Sequence, residues 1–268
     1  MTAELLLRIG QAWGLAAGIQ LVLWAIQQRT KNAGIVDVGW AFAFTPVAAL
    51  FAWRSTSCAC GWGVIAAIVV AWSLRLGIYL VTRGAASHPE EGRYKDLRAR
   101  WGSSASTKFF IFFQAQAALV GILSSAFAVP FIVEPHAWWP RALGATVSII
   151  GILGEATADL QLARFKKDPS NKGKVCDVGL WSWSRHPNYF FEWCVWIGYA
   201  IYGLAFGWYG LIAIVAQAII VGSIFGITGI PPTEAQAVRS KGDAYREYQK
   251  RVSRFILLPP KRTRSMLD

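Results

Sequence analysis

The chain has 268 residues, of which 54% are hydrophobic and 16% charged, against about 25% charged in an average soluble domain. This composition, with 14 Trp and 4 Cys, excludes a soluble globular enzyme, a disordered chain, a coiled coil and a disulfide-stapled secreted domain. The formal net charge of +12 leaves two explanations, a nucleic-acid partner or the cytoplasmic bias of membrane loops, and the placement of the charges decides between them.

Apolar stretches near the ~20 residues that a helical span requires lie at about 9–27, 33–53, 60–82, 109–133, 138–162, 189–206 and 208–230. They predict an all-α, polytopic integral membrane protein, a bundle of about seven transmembrane helices forming one membrane domain over 1–268, with 231–268 as a tail on the inner side. Seven spans put the termini on opposite faces. Arg8, Arg54 and Arg141 fall on one face, Arg75 lies inside the third span, and the other 23 of the 27 basic residues fall on the opposite face. The positive-inside rule therefore predicts an external N-terminus and a cytoplasmic tail, and no nucleic-acid partner is expected.

The first span lacks a small-residue cleavage site followed by a polar mature region, so it reads as a retained helix rather than a signal peptide. Span 2 carries Asp37 near its start. Cys58 and Cys60, on the outer loop that follows, are too close for the usual structural zinc spacing, and Cys176 and Cys194 have no second ligand pair, so no metal site is expected. Span 3 carries Arg75 and Tyr79, span 5 ends with Glu155 and Asp159, and span 6 opens with Glu192. Each embedded ionisable group costs about 2.5 to 3.5 kcal/mol on insertion scales and so calls for a reason. Asp37, Arg75, Glu155, Asp159 and Glu192 all belong to the inner half, which predicts a polar cavity open to the cytosol. Glu155 and Asp159 share a helix face that continues to Lys166, and Asn188 and Glu192 repeat the four-residue spacing.

The most distinctive segment is Ser184-Arg185-His186-Pro187-Asn188-Tyr189-Phe190-Phe191-Glu192. Pro187 suits a first helical turn, so Arg185 and His186 precede a helix N-terminus, where N–H groups and the dipole favour anions. Arg164, Lys166, Lys167, Lys172 and Lys174 lie on the same side, in position for a pyrophosphate or ribose phosphate. Tyr245, Tyr248 and Glu234 in the tail form a candidate lid, a pattern that also describes an amphipathic surface helix, and Lys261-Arg262-Thr263-Arg264 is expected to meet anionic membrane lipid.

The chain resembles the steroid 5-alpha-reductase-like membrane reductases, in particular their bacterial DUF1295 branch. The likeness rests on Asn32-Ala33-Gly34-Ile35-Val36-Asp37-Val38-Gly39-Trp40, on Ala158 through Lys166, on Ser184 through Glu192, and on Pro231-Pro232-Thr233-Glu234 through Tyr245-Arg246-Glu247-Tyr248. The resemblance implies a bacterial inner-membrane enzyme that binds NADPH from the cytosol and reduces an activated C=C bond in a lipophilic enone, such as a 3-oxo-4-ene steroid, taken from the bilayer. Asp159, Lys166, Asn188 and Glu192 match the family's cofactor contacts, and Tyr189 lies in the same motif. The family's Gln-Glu pair on the second helix and Tyr on the third, which handle the substrate carbonyl, are not matched. Span 2 offers Asp37, and span 3 offers Trp72, Arg75 and Tyr79.

Hydride transfer to an enone leaves enolate character on oxygen, which calls for a donor aimed at that atom. Asp37, if protonated, and Tyr79 are the candidates, with Arg75 either assisting or neutralising Asp37. The cofactor set is Glu155, Asp159, Arg164, Lys166, Arg185, His186, Asn188, Tyr189, Glu192, Tyr245 and Tyr248. The Arg185-His186-Pro187-Asn188-Tyr189 run with Glu192 also suits an S-adenosylmethionine-dependent methyltransferase of the isoprenylcysteine or phospholipid type. A non-catalytic lipid-binding or assembly protein is the third reading, and the oligomeric state is left open.

Overall fold

A computed structural model describes residues 2–261 except 88, 91, 227 and 228, and the predicted contact of Arg262-Thr263-Arg264 with lipid lies outside the described residues. Among them the chain is all-helical: α1 (Thr2–Thr30), α2 (Ile35–Trp53), α3 (Ala59–Thr82), α4 (Gly92–Trp101), α5 (Ala105–Ala128), α6 (Trp139–Lys167), α7 (Pro187–Gly203), α8 (Ile212–Phe225), α9 (Ile230–Lys241) and α10 (Asp243–Arg251). Six helical stretches are long and apolar enough to cross a membrane. The sixth, Pro187–Lys241, takes in the last two predicted spans, which the structure divides at Phe206 and Gly207. Gly207 has φ +64°, a left-handed value that glycine tolerates, and the backbones of Gly203 and Gly210 meet across the reversal, where a Cβ on Gly210 would sit 1.7 Å from the Gly203 carbonyl oxygen.

The chain packs as two compact units. The first comprises Met1–Ala145 with Tyr199–Ala216. Its core is aromatic: Phe44 meets Trp72 and Phe127 edge to face, and Phe51 meets Phe127 and Phe131. Small residues let its helices approach closely, since a Cβ at Gly39 would meet Leu23 of α1 at 2.0 Å and one at Gly77 would meet the Phe42 ring at 2.5 Å. Polar side chains buried in this unit are tied to backbone: Gln20 donates to the Val36 carbonyl at 3.1 Å, and Ser73 donates to the Ala41 carbonyl at 2.7 Å. By contrast, Leu6, Leu7, Leu21, Val22 and Ile26 leave α1 with an apolar outer face, which suits lipid better than water.

The sequence reading treats 83–108 as a charged inner loop, but the structure builds α4 there. Tyr94, Leu97 and Trp101 form an apolar stripe packed with Ala33, Val36, Phe109 and Phe113. That spacing is helical and was available in the sequence.

The second unit comprises Thr146–Gly198 with Gln217–Asp268. Here α6 and α7 pack backbone to backbone, because Gly151 and Gly154 admit Phe191: a Cβ at Gly151 would lie 2.8 Å from the Phe191 carbonyl oxygen, and one at Gly154 would lie 2.2 Å from its ring. Ser148 donates to the Val195 carbonyl along the same seam at 3.2 Å. This close pairing brings the C-terminal end of α6 beside the start of α7.

Candidate functional site

In the second unit the loop from 168 to 186 and the tail are laced together. The Arg185 N–H donates to the Ser253 carbonyl at 2.8 Å, Ser184 Oγ to the Phe255 carbonyl at 2.7 Å, and the Leu258 N–H to the Trp183 carbonyl at 3.0 Å. Tyr248 donates its hydroxyl to the Trp181 carbonyl at 2.5 Å, and Trp181 in turn donates Nε1 to the Ala158 carbonyl of α6 at 2.9 Å. Burial pushes the phenol groups of Tyr245 and Tyr248 upward, so both stay neutral hydrogen-bonding groups.

Glu234 is the hub of this clasp. Its Oε1 accepts from Arg185 Nε at 2.7 Å and lies 3.3 Å from His186 Nε2, while its Oε2 accepts from Gln249 Nε2 at 3.1 Å. Arg185 also donates Nη1 to the Gln249 and Val252 carbonyls. Burial holds the His186 imidazole below its ordinary pKa, against the opposing pull of the Glu234 carboxylate. Arg185 and His186 are therefore both engaged with Glu234 within the protein. Glu234 was expected only in a lid with Tyr245 and Tyr248, and Gln249 was not predicted at all.

The next turn of α7 presents a second set. Asn188 donates Nδ2 to Asp159 Oδ1 at 3.5 Å, Glu192 accepts from Trp196 Nε1 at 2.8 Å, and the Tyr189 ring stacks on His186 at 5.5 Å. Asp159 and Glu155 are buried on one face of α6, and Asn188, Tyr189 and Glu192 are partly buried. Lys166 lies on the same α6 face as Asp159, ~10 Å further along at 1.5 Å per residue. Lys166 and Arg164 are exposed. Beside them an open cleft of about 500 Å³ is lined by Gln161, Arg164, Phe165, Asp168, Asn171, Val178 and Gly179. Gln161 shapes one wall by accepting from the Leu180 N–H at 2.9 Å.

The groups expected to handle a substrate carbonyl lie in the first unit. Arg75 and Tyr79 are one turn apart on α3 and both are partly buried. Asp37 accepts hydrogen bonds from Arg93 and from the Tyr94 hydroxyl of α4. The cation beside Asp37 is Arg93 of α4. The rest of the Asn32–Asp37 motif is tied down in the same way. Asn32 donates to the Ser87 carbonyl at 2.6 Å and accepts from the Gly34 N–H at 2.9 Å, while Glu90 accepts from the Ala33 N–H at 2.7 Å and pairs with Arg98 at 2.8 Å. A Cβ on Gly34 would sit 2.1 Å from the Ala85 carbonyl oxygen.

The segment between α2 and α3 holds a feature the sequence reading missed, a disulfide between Cys58 and Cys60.

The family described as "Protein of unknown function (DUF1295)" matches residues 23–252. The chain belongs to that family. It is also similar to the Probable O-methyltransferase ustE of Ustilaginoidea virens, at 42% identity over 48 residues, which are 18% of this chain and 17% of that protein. The chain thus spans about a sixth of that relative's length. No solved structure matches.

Proposed function

We propose that this DUF1295 protein is a multi-pass membrane enzyme of the bacterial inner membrane. In this reading it uses NADPH from the cytosol to reduce the activated C=C bond of a lipophilic, steroid-like or isoprenoid enone. The observation that carries the proposal is the acid–amide face of α6 and α7, Asp159 with Asn188 and Glu192, continued along α6 by Lys166 and flanked by the exposed Arg164. Carboxylate and carboxamide groups match an amide and ribose hydroxyls, whereas cations match phosphates. Lys167, Lys172 and Lys174 extend the cationic flank. The polyanion NADPH fits it better than the sulfonium cation of S-adenosylmethionine does.

NADPH, when bound, supplies a hydride. The chain's own task in the second unit is to orient the cofactor, while Arg75 and Tyr79, donors of the kind that suits a substrate oxygen, belong to the first unit. The inward side of the cofactor face follows from the positive-inside rule. Exposed Trp53 at the end of α2, Trp138 and Trp139 at the start of α6, and Trp208 in the α7–α8 reversal suit a membrane–water interface, which tryptophan favours on either side.

One observation favours a second reading. The O-methyltransferase similarity supports an S-adenosylmethionine-dependent membrane methyltransferase. Titration of detergent-purified protein with NADPH, NADH and S-adenosylmethionine separates the two. We expect NADPH to bind and Glu192→Ala to weaken it about tenfold, the loss of one charge-assisted contact. Glu192→Gln keeps an acceptor for Trp196 and controls for folding. Binding of S-adenosylmethionine alone would replace the reductase with the methyltransferase.

A further inference from the structure

We propose that Cys58, Cys60 and Glu134 form a thiol–disulfide exchange site whose substrate is an external thiol. Cys58 caps α3 and Cys60 lies in its first turn, and both cysteines and Glu134 are exposed, with their ligating atoms within 4.8 Å of one another. Glu134 accepts from the Cys58 N–H at 2.6 Å, and its second oxygen lies 3.3 Å from Cys58 Sγ.

The carboxylate is held there by construction. Thr56 donates its N–H to the Phe131 carbonyl at 3.0 Å, Ser57 donates Oγ to the Pro130 carbonyl at 2.6 Å, and Ser55 donates Oγ to the Phe131 carbonyl at 3.0 Å, which binds the two loops side by side. On the other flank Arg141 donates to the Cys60 carbonyl at 2.5 Å. A disulfide that closes so short a loop restrains the unfolded chain least, so stapling the fold is a poor account of it. Exposed disulfides are also the readily exchanged ones.

In the exchange, an incoming thiolate attacks Cys60 Sγ, because the Glu134 carboxylate repels it from Cys58. The Cys58–Cys60 bond breaks, and Cys58 leaves with the electron pair. The proton shed by the incoming thiol reaches Cys58 through Glu134. A second thiol then displaces Cys60 from the mixed disulfide, so two external thiols become one disulfide and the protein holds a dithiol. Reoxidation by an external disulfide runs the same steps backwards, with Glu134 accepting the Cys58 proton.

The test uses the full-length protein in detergent, equilibrated with reduced and oxidised glutathione and trapped with a maleimide for mass spectrometry. We expect Cys58 and Cys60 to pass reversibly between disulfide and dithiol while buried Cys176 stays unlabelled, and Glu134→Gln to slow the exchange about fivefold, the worth of one hydrogen bond. The Cys58→Ser, Cys60→Ser double variant should keep its melting midpoint. A pair that resists millimolar dithiothreitol in the folded protein, a Glu134→Gln rate equal to the parent's, or a collapsed midpoint in the double variant would each overturn the proposal.

Discussion

Two charged clasps, one in each unit, each set a carboxylate against an arginine and differ in their access to water. In the first unit Asp37 takes Arg93 and Tyr94, with Arg93 45% exposed; in the second, Glu234 takes Arg185, His186 and Gln249, with Arg185 only 10% exposed. An ion pair open to water is worth about 0 to 1 kcal/mol, whereas removing one partner of a buried pair strands a charge and costs about 3 to 5 kcal/mol. An arginine beside a helix end, read from sequence, is a ligand site or a latch with equal ease. Burial separates the two cases here, since Arg185 is largely shielded and Arg93 is not.

The comparison breaks most visibly at Glu234. Glu234→Ala strands Arg185 and should lower stability by about 3 kcal/mol, read as a fall in the melting midpoint in detergent. Glu234→Gln, which keeps an acceptor for Arg185, should recover part of the loss. In the first unit, Gly34→Ala forces a Cβ against the Ala85 carbonyl and should cost about 1 to 3 kcal/mol by the same assay.

Tyr248→Phe removes the hydroxyl that anchors the tail to Trp181 and should cost about 1 kcal/mol. Arg93→Ala should change the midpoint less than any of these, at most about 1 kcal/mol. A larger effect there than at Glu234 would reverse the ordering of the two clasps.

The smallest effect is one of pH. Burial lowers the His186 pKa from 6.5 in the folded state, so the unfolded chain binds the extra proton first. The contribution is fully present above the unfolded value and is lost as pH falls below it toward the folded one. A midpoint that falls between about pH 7.5 and about pH 5, and falls less in His186→Gln, is the expected result.

Much of the helical layout was legible because bilayer thickness imposes a length on every span. Predicted spans 33–53, 60–82 and 138–162 correspond to α2, α3 and α6 within a few residues. The helix α4 escaped because its stripe of Tyr94, Leu97 and Trp101 is short and surrounded by charge, so it registers as a loop in any window sized for a membrane. The Ser184–Glu192 motif was legible as a cluster of residue types. Its internal division was not, because Glu234 and Gln249 reach Arg185 from 49 and 64 positions away in the chain.

Sequence alone determined the all-helical, apolar architecture and the family, since hydropathy and local motif are properties of contiguous residues. Tertiary structure decided which charges are spent on holding the protein together. That depends on which groups from distant segments share a dry environment, and for Asp37, Arg185 and His186 the answer was an internal partner.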